Sequence, residues 1–154
     1  QISSDPLTGI YNRRMLVDEL SHRIKSVKNN KKLYFVFMDI DDFKMLNDKH
    51  GHREGDNALI LVADCLNSIC AESNGGDEFA VVQELNLDES IAEFCENIER
   101  TIAERSLQSD GKFAVSVSVG HAEYLKDGDT VQSLINIADR HMYTRKSAKA
   151  EAID

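Results

Sequence analysis

Two short acidic segments hold the residues best suited to chemistry in this chain. Met38-Asp39-Ile40-Asp41-Asp42-Phe43-Lys44 ends an unbroken apolar run, Leu33 to Met38, in three carboxylates. Gly75-Gly76-Asp77-Glu78-Phe79 places two more behind a pair of glycines. An Asp at a strand tip that faces a second Asp on a glycine hairpin can hold a hard divalent cation. Mg²⁺ is usually bound by one or two carboxylates together with substrate phosphates, so the pair suits phosphoryl or nucleotidyl transfer. Either segment alone is equally well a tight turn with solvated acids, and it is their combination that points to a site. A two-residue turn on Gly75 and Gly76 would use positive φ, which glycine adopts without steric cost. Bare backbone there could also come close to a phosphate.

The elements that must carry these segments follow from periodicity. Leu16, Leu20, Ile24 and Val27 recur at helical spacing after Asn12. The polar stretch Asn29–Lys32 then turns into a strand over Leu33–Met38, whose lack of alternation fits a central strand covered on both faces. Leu59, Val62, Ala63, Leu66 and Ile69 predict a helix after Gly55-Asp56, with Asp56 either its N-cap or a side chain free to meet a ligand. Phe79–Val82 continues the hairpin. Ile91, Phe94, Cys95, Ile98 and Ile102 predict an amphipathic helix capped by Asp88. Phe113, Val115, Val117 and Val119 alternate as a half-covered strand stopped by Gly120, and Thr130 caps a last helix. The order helix, strand, helix, strand, strand, helix, strand, helix is an α/β arrangement of helices on a sheet.

Four ordered motifs resemble the GGDEF-domain diguanylate cyclases. Asp5-Pro6-Leu7-Thr8-Gly9-Ile10-Tyr11-Asn12-Arg13-Arg14 is similar to the family's opening D-x-L-T-G-L-x-N-R-R. Asp39 to Asp56 follows D-I-D-D-F-K-x-x-N-D-x-x-G-H-x-x-G-D, and Gly75–Phe79 is the signature itself. Ala138-Asp139, Met142-Tyr143 and Lys146 resemble the closing A-D-x-A-M-Y-x-A-K. The resemblance implies one domain over residues 1–154, part of a longer signalling protein. It also implies an α+β fold whose central, mostly antiparallel sheet is flanked by helices like the palm of nucleotidyl cyclases and polymerases.

By the same resemblance, two GTP molecules condense into cyclic di-GMP with loss of two pyrophosphates. Each of two copies of the domain brings one GTP, so the catalytic partner is a homodimer. The implied metal ligands for Mg²⁺, with Mn²⁺ as the alternative ion, are Asp39, the carbonyl of Ile40, Asp77 and Glu78. Asp77, Glu78 and Lys146 are the implied catalytic residues, Glu78 either binding metal or activating the hydroxyl. Asn47 and Asp56 read guanine. A carboxylate accepts from the adjacent N1–H and N2–H₂ donors that adenine lacks, and leaving such a site unpaired is a source of discrimination. Asp42, Phe43, Lys44, Gly75, Gly76 and Lys149 complete the substrate-binding set around the triphosphate, although lysines at such spacing are ordinarily just solvated.

Composition agrees with a nucleotide rather than a nucleic acid as ligand. The net charge of −9 disfavours sequence-independent binding of nucleic acid. Forty-two per cent apolar residues can fill one core in 154 residues. No apolar run nears the roughly 20 residues of a membrane span, so a cytoplasmic domain with no direct membrane contact is expected. Its parent could be membrane-anchored and carry an upstream sensor or regulatory domain. Cys65, Cys70 and Cys95 lack C-x-x-C spacing and read as buried reduced thiols. His50-Gly51-His52 has no third ligand in zinc-like spacing.

The chain departs from the family pattern in two places. It reaches Gly75 sooner, through Cys70-Ala71-Glu72-Ser73-Asn74, with Ser73 where the family has an Arg. Either the strand feeding the hairpin is shortened or a segment is absent from the sequence. The R-x-x-D product-binding site is missing with it, since no Arg occurs between Arg53 and Arg100. After Lys146 the family's x-x-G-[RK]-N becomes Ser147-Ala148-Lys149-Ala150, and Arg145 replaces a common Ala. A degenerate GGDEF domain that binds GTP or cyclic di-GMP as a regulatory module is the alternative reading. Another palm-type nucleotidyl cyclase or polymerase fits the acids but not the D-x-L-T-G opening.

Overall fold

The computed structural model describes residues 13–69, 72–74, 78–108 and 114–153. The opening motif up to Asn12 lies outside them, as do Cys70, Gly75, Gly76, Asp77 and Phe113. The elements run α1 Arg13–Ser26, β1 Lys31–Ile40, α2 Phe43–His50, α3 His52–Ile69, β2 Glu72–Asn74, β3 Glu78–Asn86, α4 Ile91–Gln108, β4 Val117–Glu123 and α5 Val131–Ile153. The strands form one sheet in the order β2-β3-β1-β4, every neighbouring pair antiparallel. This is the expected α+β architecture.

β1 sits between β3 and β4 and is covered on both faces, as its unbroken apolar run predicts. Its odd positions, Leu33, Phe35 and Phe37, pack with Leu20 of α1 and with Leu134, Ala138 and Met142 of α5. Its even positions, Val36, Met38 and Ile40, pack with Leu46 of α2, with Val62 and Leu66 of α3, and with Ile98 and Ile102 of α4. The strand's two-residue side-chain period divides one apolar run between two cores. Cys65 and Cys95 are buried in the second of these.

Several boundaries differ from the sequence reading, each for a physical reason. The turn after β1 leads into an additional helix, α2, too short and polar to show a long apolar stripe. α3 starts at His52, directly after Gly51 at φ +93°. Asp56 is therefore inside that helix and is not its N-cap. Ser90, not Asp88, caps α4, its Oγ accepting from the Glu93 amide at 3.3 Å. Thr130 caps α5 as expected, accepting from the Ser133 amide at 3.1 Å.

β4 begins at Val117 and runs through Gly120 rather than stopping there. A Cβ on Gly120 would lie 2.2 Å from the Met142 amide nitrogen and 2.4 Å from the Ala138 carbonyl oxygen. The glycine thus marks the close approach of α5 to the sheet. The strand ahead of the signature is present as β2, three residues long. Asn74 pairs with Ala80, leaving residues 75–79 between them. The turn expected on Gly75 and Gly76 itself lies outside the described residues.

The outward-facing backbone groups of β4, an edge strand among the described residues, are met by side chains. Val117 O accepts from Lys149, and the amides of Val119, His121 and Glu123 donate to Glu99, His141 and Asp127.

Candidate functional site

The sheet delivers Asp39 to the end of β1, opposite Glu78 of β3 on one side and Ser118 of β4 on the other. The two acidic segments found in the sequence are thus neighbours in the ladder. The backbone of Glu78 is described, but its side chain lies outside the described residues, as does the whole of Asp77. Asp39 points to the same face as Phe35 and Phe37, toward α5. There the Lys146 ammonium lies 2.8 Å from Asp39 Oδ2 and 3.4 Å from the carbonyl oxygen of Ile40. A carboxylate and a carbonyl therefore converge on a position that already holds a positive charge. Both are hard oxygen donors, the kind Mg²⁺ selects, so these residues fit a divalent ion.

One residue on, Asp41 has a denser environment. Ser116 and Ser118 each donate a hydroxyl to it at 2.6 Å, and Lys149 donates at 3.0 Å. Burial pushes its pKa up, but those three hydrogen bonds and the Lys149 charge outweigh burial and hold it below the ordinary carboxylate value. Lys149 also donates to the carbonyl of Val117 at 2.5 Å and lies 3.6 Å from Glu99, which Arg145 meets at 2.9 Å. Sequence reasoning missed Asp41, Glu99 and the two serines. The Ser116 and Ser118 alternation was visible, but it read only as the polar face of a strand. Arg145, noted as a departure from the family's Ala, proves to be the partner of Glu99.

Asp42 adopts left-handed geometry, φ 54° and ψ 39°, where Asp is among the few tolerant residues. It is exposed and makes no side-chain cap to α2, so the first turn of that helix begins at Phe43 and Lys44 without a capping carboxylate. Phe43 packs on the core, while Lys44 is exposed. Asn47 is half-buried, its carboxamide lying against Gly55. A Cβ on Gly55 would fall 1.7 Å from Asn47 Oδ1, so the glycine makes room for this side chain. Asp56 follows, exposed on the first turns of α3.

A cleft of about 420 Å³ opens between α2 and the end of α5, lined among others by Asp42, Met45, Lys49, Lys146, Lys149 and Ala150. Of the residues expected in the site it gathers Asp42, Lys146 and Lys149. Asp39, Phe43, Lys44, Asn47 and Asp56 are not in its wall.

Comparison with known proteins agrees with the motifs. The model of a family described as "Diguanylate cyclase, GGDEF domain" matches residues 2–152. The chain is 33% identical over 156 residues to the diguanylate cyclase DgcP of Escherichia coli (strain K12), covering 97% of this chain and 46% of that protein. It is 32% identical over 154 residues to the diguanylate cyclase VdcA of Vibrio cholerae, covering 93% and 44%. The crystal structure of a sensory box/GGDEF family protein from Caulobacter crescentus CB15 superposes with a TM-score of 0.84 at 32% identity, covering 96% of this chain and 99% of that one. The chain spans under half the length of these two curated relatives.

Proposed function

From the premise that the chain belongs to the diguanylate cyclase GGDEF-domain family, we propose that it forms cyclic di-GMP from two molecules of GTP. The observation that supports this best is the pairing of Asp39 with Glu78, which puts the two acidic motifs side by side at one end of the sheet. In each step the 3′-oxygen of one GTP bonds to the α-phosphorus of the other, and the bond from that phosphorus to pyrophosphate breaks. Asp39, the Ile40 carbonyl and Asp77 hold the divalent ion, taken as Mg²⁺ with Mn²⁺ the alternative. When bound, that ion neutralises charge on the triphosphate and favours the deprotonated hydroxyl.

The chain's own residues do the rest. Glu78 completes the metal set or accepts the hydroxyl proton. Lys146, Lys44 and backbone groups at Asp42, Phe43, Gly75 and Gly76 meet phosphate oxygens. Asn47 and Asp56 accept and donate along the guanine edge, and the exposure of Asp56 leaves both its oxygens available. Lys149 is assigned differently from the sequence reading, because its bonds to Asp41 and Val117 make it a positioning residue. A second copy supplies the other GTP, so the working unit is a homodimer. Residues 1–154 act as one domain in the cytoplasm, within a longer parent carrying a sensor. Among the described residues no helix is long and apolar enough to cross a membrane.

Incubation with GTP and Mg²⁺, followed by chromatography of the nucleotides, tests the reading. Cyclic di-GMP should appear, at a rate per molecule that rises with protein concentration. GTP binding without any turnover would instead mark a regulatory module.

A further inference from the structure

Lys146 sits against the two described groups that the proposed metal site needs, the Asp39 carboxylate and the Ile40 carbonyl. Its ammonium is 2.8 Å from Asp39 Oδ2 and 3.4 Å from Ile40 O. A divalent ion bound there would lie against the ammonium, and the two cations repel strongly at such range. Lysine is a point charge on a flexible four-carbon stem, and it can re-aim without disturbing its helix. The Lys146 side chain is one-quarter exposed and lines the 420 Å³ cleft beside α2, so there is space into which the ammonium can turn. Lys149, a turn later on α5, has no such freedom. It is bonded to Asp41, Ser116 and Val117, with Glu99 close by.

We infer that Lys146 is an exchangeable internal counter-ion that holds Asp39 until the divalent ion enters and then moves to the triphosphate. The inference rests on the proposed metal role of Asp39. It makes metal and nucleotide binding mutually reinforcing. Metal alone must evict an ammonium that gains nothing in exchange, whereas with nucleotide present the ammonium has phosphate oxygens to receive it. Linkage requires nucleotide to bind more tightly with metal by the same factor. Lys146 is thus a positioning residue for the cation before it is a phosphate ligand.

Mn²⁺ titrations followed by electron paramagnetic resonance, with and without a non-hydrolysable GTP analogue, test this on wild type, Lys146→Met and Asp39→Asn. Lys146→Met keeps the aliphatic stem and removes the charge. It should bind Mn²⁺ alone roughly tenfold more tightly than wild type, the scale of one charged hydrogen bond. Its gain in Mn²⁺ affinity from nucleotide should shrink. Unchanged or weaker binding of Mn²⁺ alone by Lys146→Met, with Asp39→Asn still abolishing it, overturns the exchange while sparing the metal reading. Mn²⁺ binding that survives Asp39→Asn overturns both. Should Lys146→Met fail to fold, the unmutated protein decides: saturating Mg²⁺ alone must shift the ¹⁵N resonance of the Lys146 ammonium, and an unmoved signal overturns the proposal.

Discussion

Asp39 and Asp41 stand two residues apart at the end of β1, and each meets a lysine of α5, Lys146 or Lys149. The two ion pairs look alike in sequence and differ in what surrounds them. Among the described residues the side chain of Asp39 is met by one ammonium, on a side chain with room to leave. Asp41 is held by two serine hydroxyls as well, and its lysine is bound to the sheet edge and lies near Glu99. Hydrogen-bond saturation, rather than charge, separates a carboxylate that can receive a new cation from one that fastens a helix to a sheet. The contrast explains how neighbouring acids in one motif can serve chemistry and architecture.

The largest effect should come from the loosely held side of the pair. Asp39→Asn and Asp77→Ala are expected to take cyclic di-GMP formation below detection while leaving the melting temperature near wild type. A substantial loss of folded protein in Asp39→Asn would make Asp39 structural after all. Asp41→Ala should do the reverse and destabilise the fold by about 2–3 kcal/mol, since it takes the acceptor from the Ser116 and buried Ser118 hydroxyls and one of the partners of Lys149. Denaturant melts would measure it.

Proton linkage distinguishes the two as well. The folded pKa of Asp41 is lowered, so its contribution to stability is present in full above the ordinary carboxylate value. It is lost as the pH falls through the depressed folded value. Asp41→Asn should therefore flatten the acid limb of the stability profile, and an unchanged limb would show that its hydrogen bonds carry little energy.

Much of this was readable before any coordinates. The unbroken run Leu33–Met38 announced a strand buried on both sides, and the two acidic motifs, read as one site, do meet in the ladder at Asp39 and Glu78. What could not be read was context that crosses the sheet. Ser116, Ser118, Glu99 and Arg145 become partners of Asp41 and Lys149 only once β4 and α5 are in place, and spacing along the chain has no access to that. Gly120 was misread for the same reason: a glycine that admits a helix backbone looks, in sequence, like one that ends a strand. Asp56 was read as a cap or a ligand contact because nothing local revealed that α3 starts at His52.

Smaller effects concern nucleotide selection. Asp56→Ala should weaken GTP binding by about 1–2 kcal/mol, at the low end for a charged hydrogen bond to an exposed carboxylate, and leave ATP binding unchanged. Calorimetry with both nucleotides is the check, and equal affinities in the wild type would remove the guanine role. Smallest of all should be the response to product. With no Arg between Arg53 and Arg100 and a net charge of −9, added cyclic di-GMP should inhibit only by competing with GTP. Potent non-competitive inhibition would count against this.

The side of β4 away from β1 has a consequence for how copies of the domain can meet. A bare edge strand is a template on which another chain can extend the sheet. Here the rungs are already filled from within, by Lys149 on Val117, Glu99 on Val119, His141 on His121 and Asp127 on Glu123. An incoming strand would have to displace one of these side chains for each of these four backbone groups it engaged. Along this border the edge of the sheet is thus closed off by the domain's own side chains, and self-association by continuous sheet growth is disfavoured there.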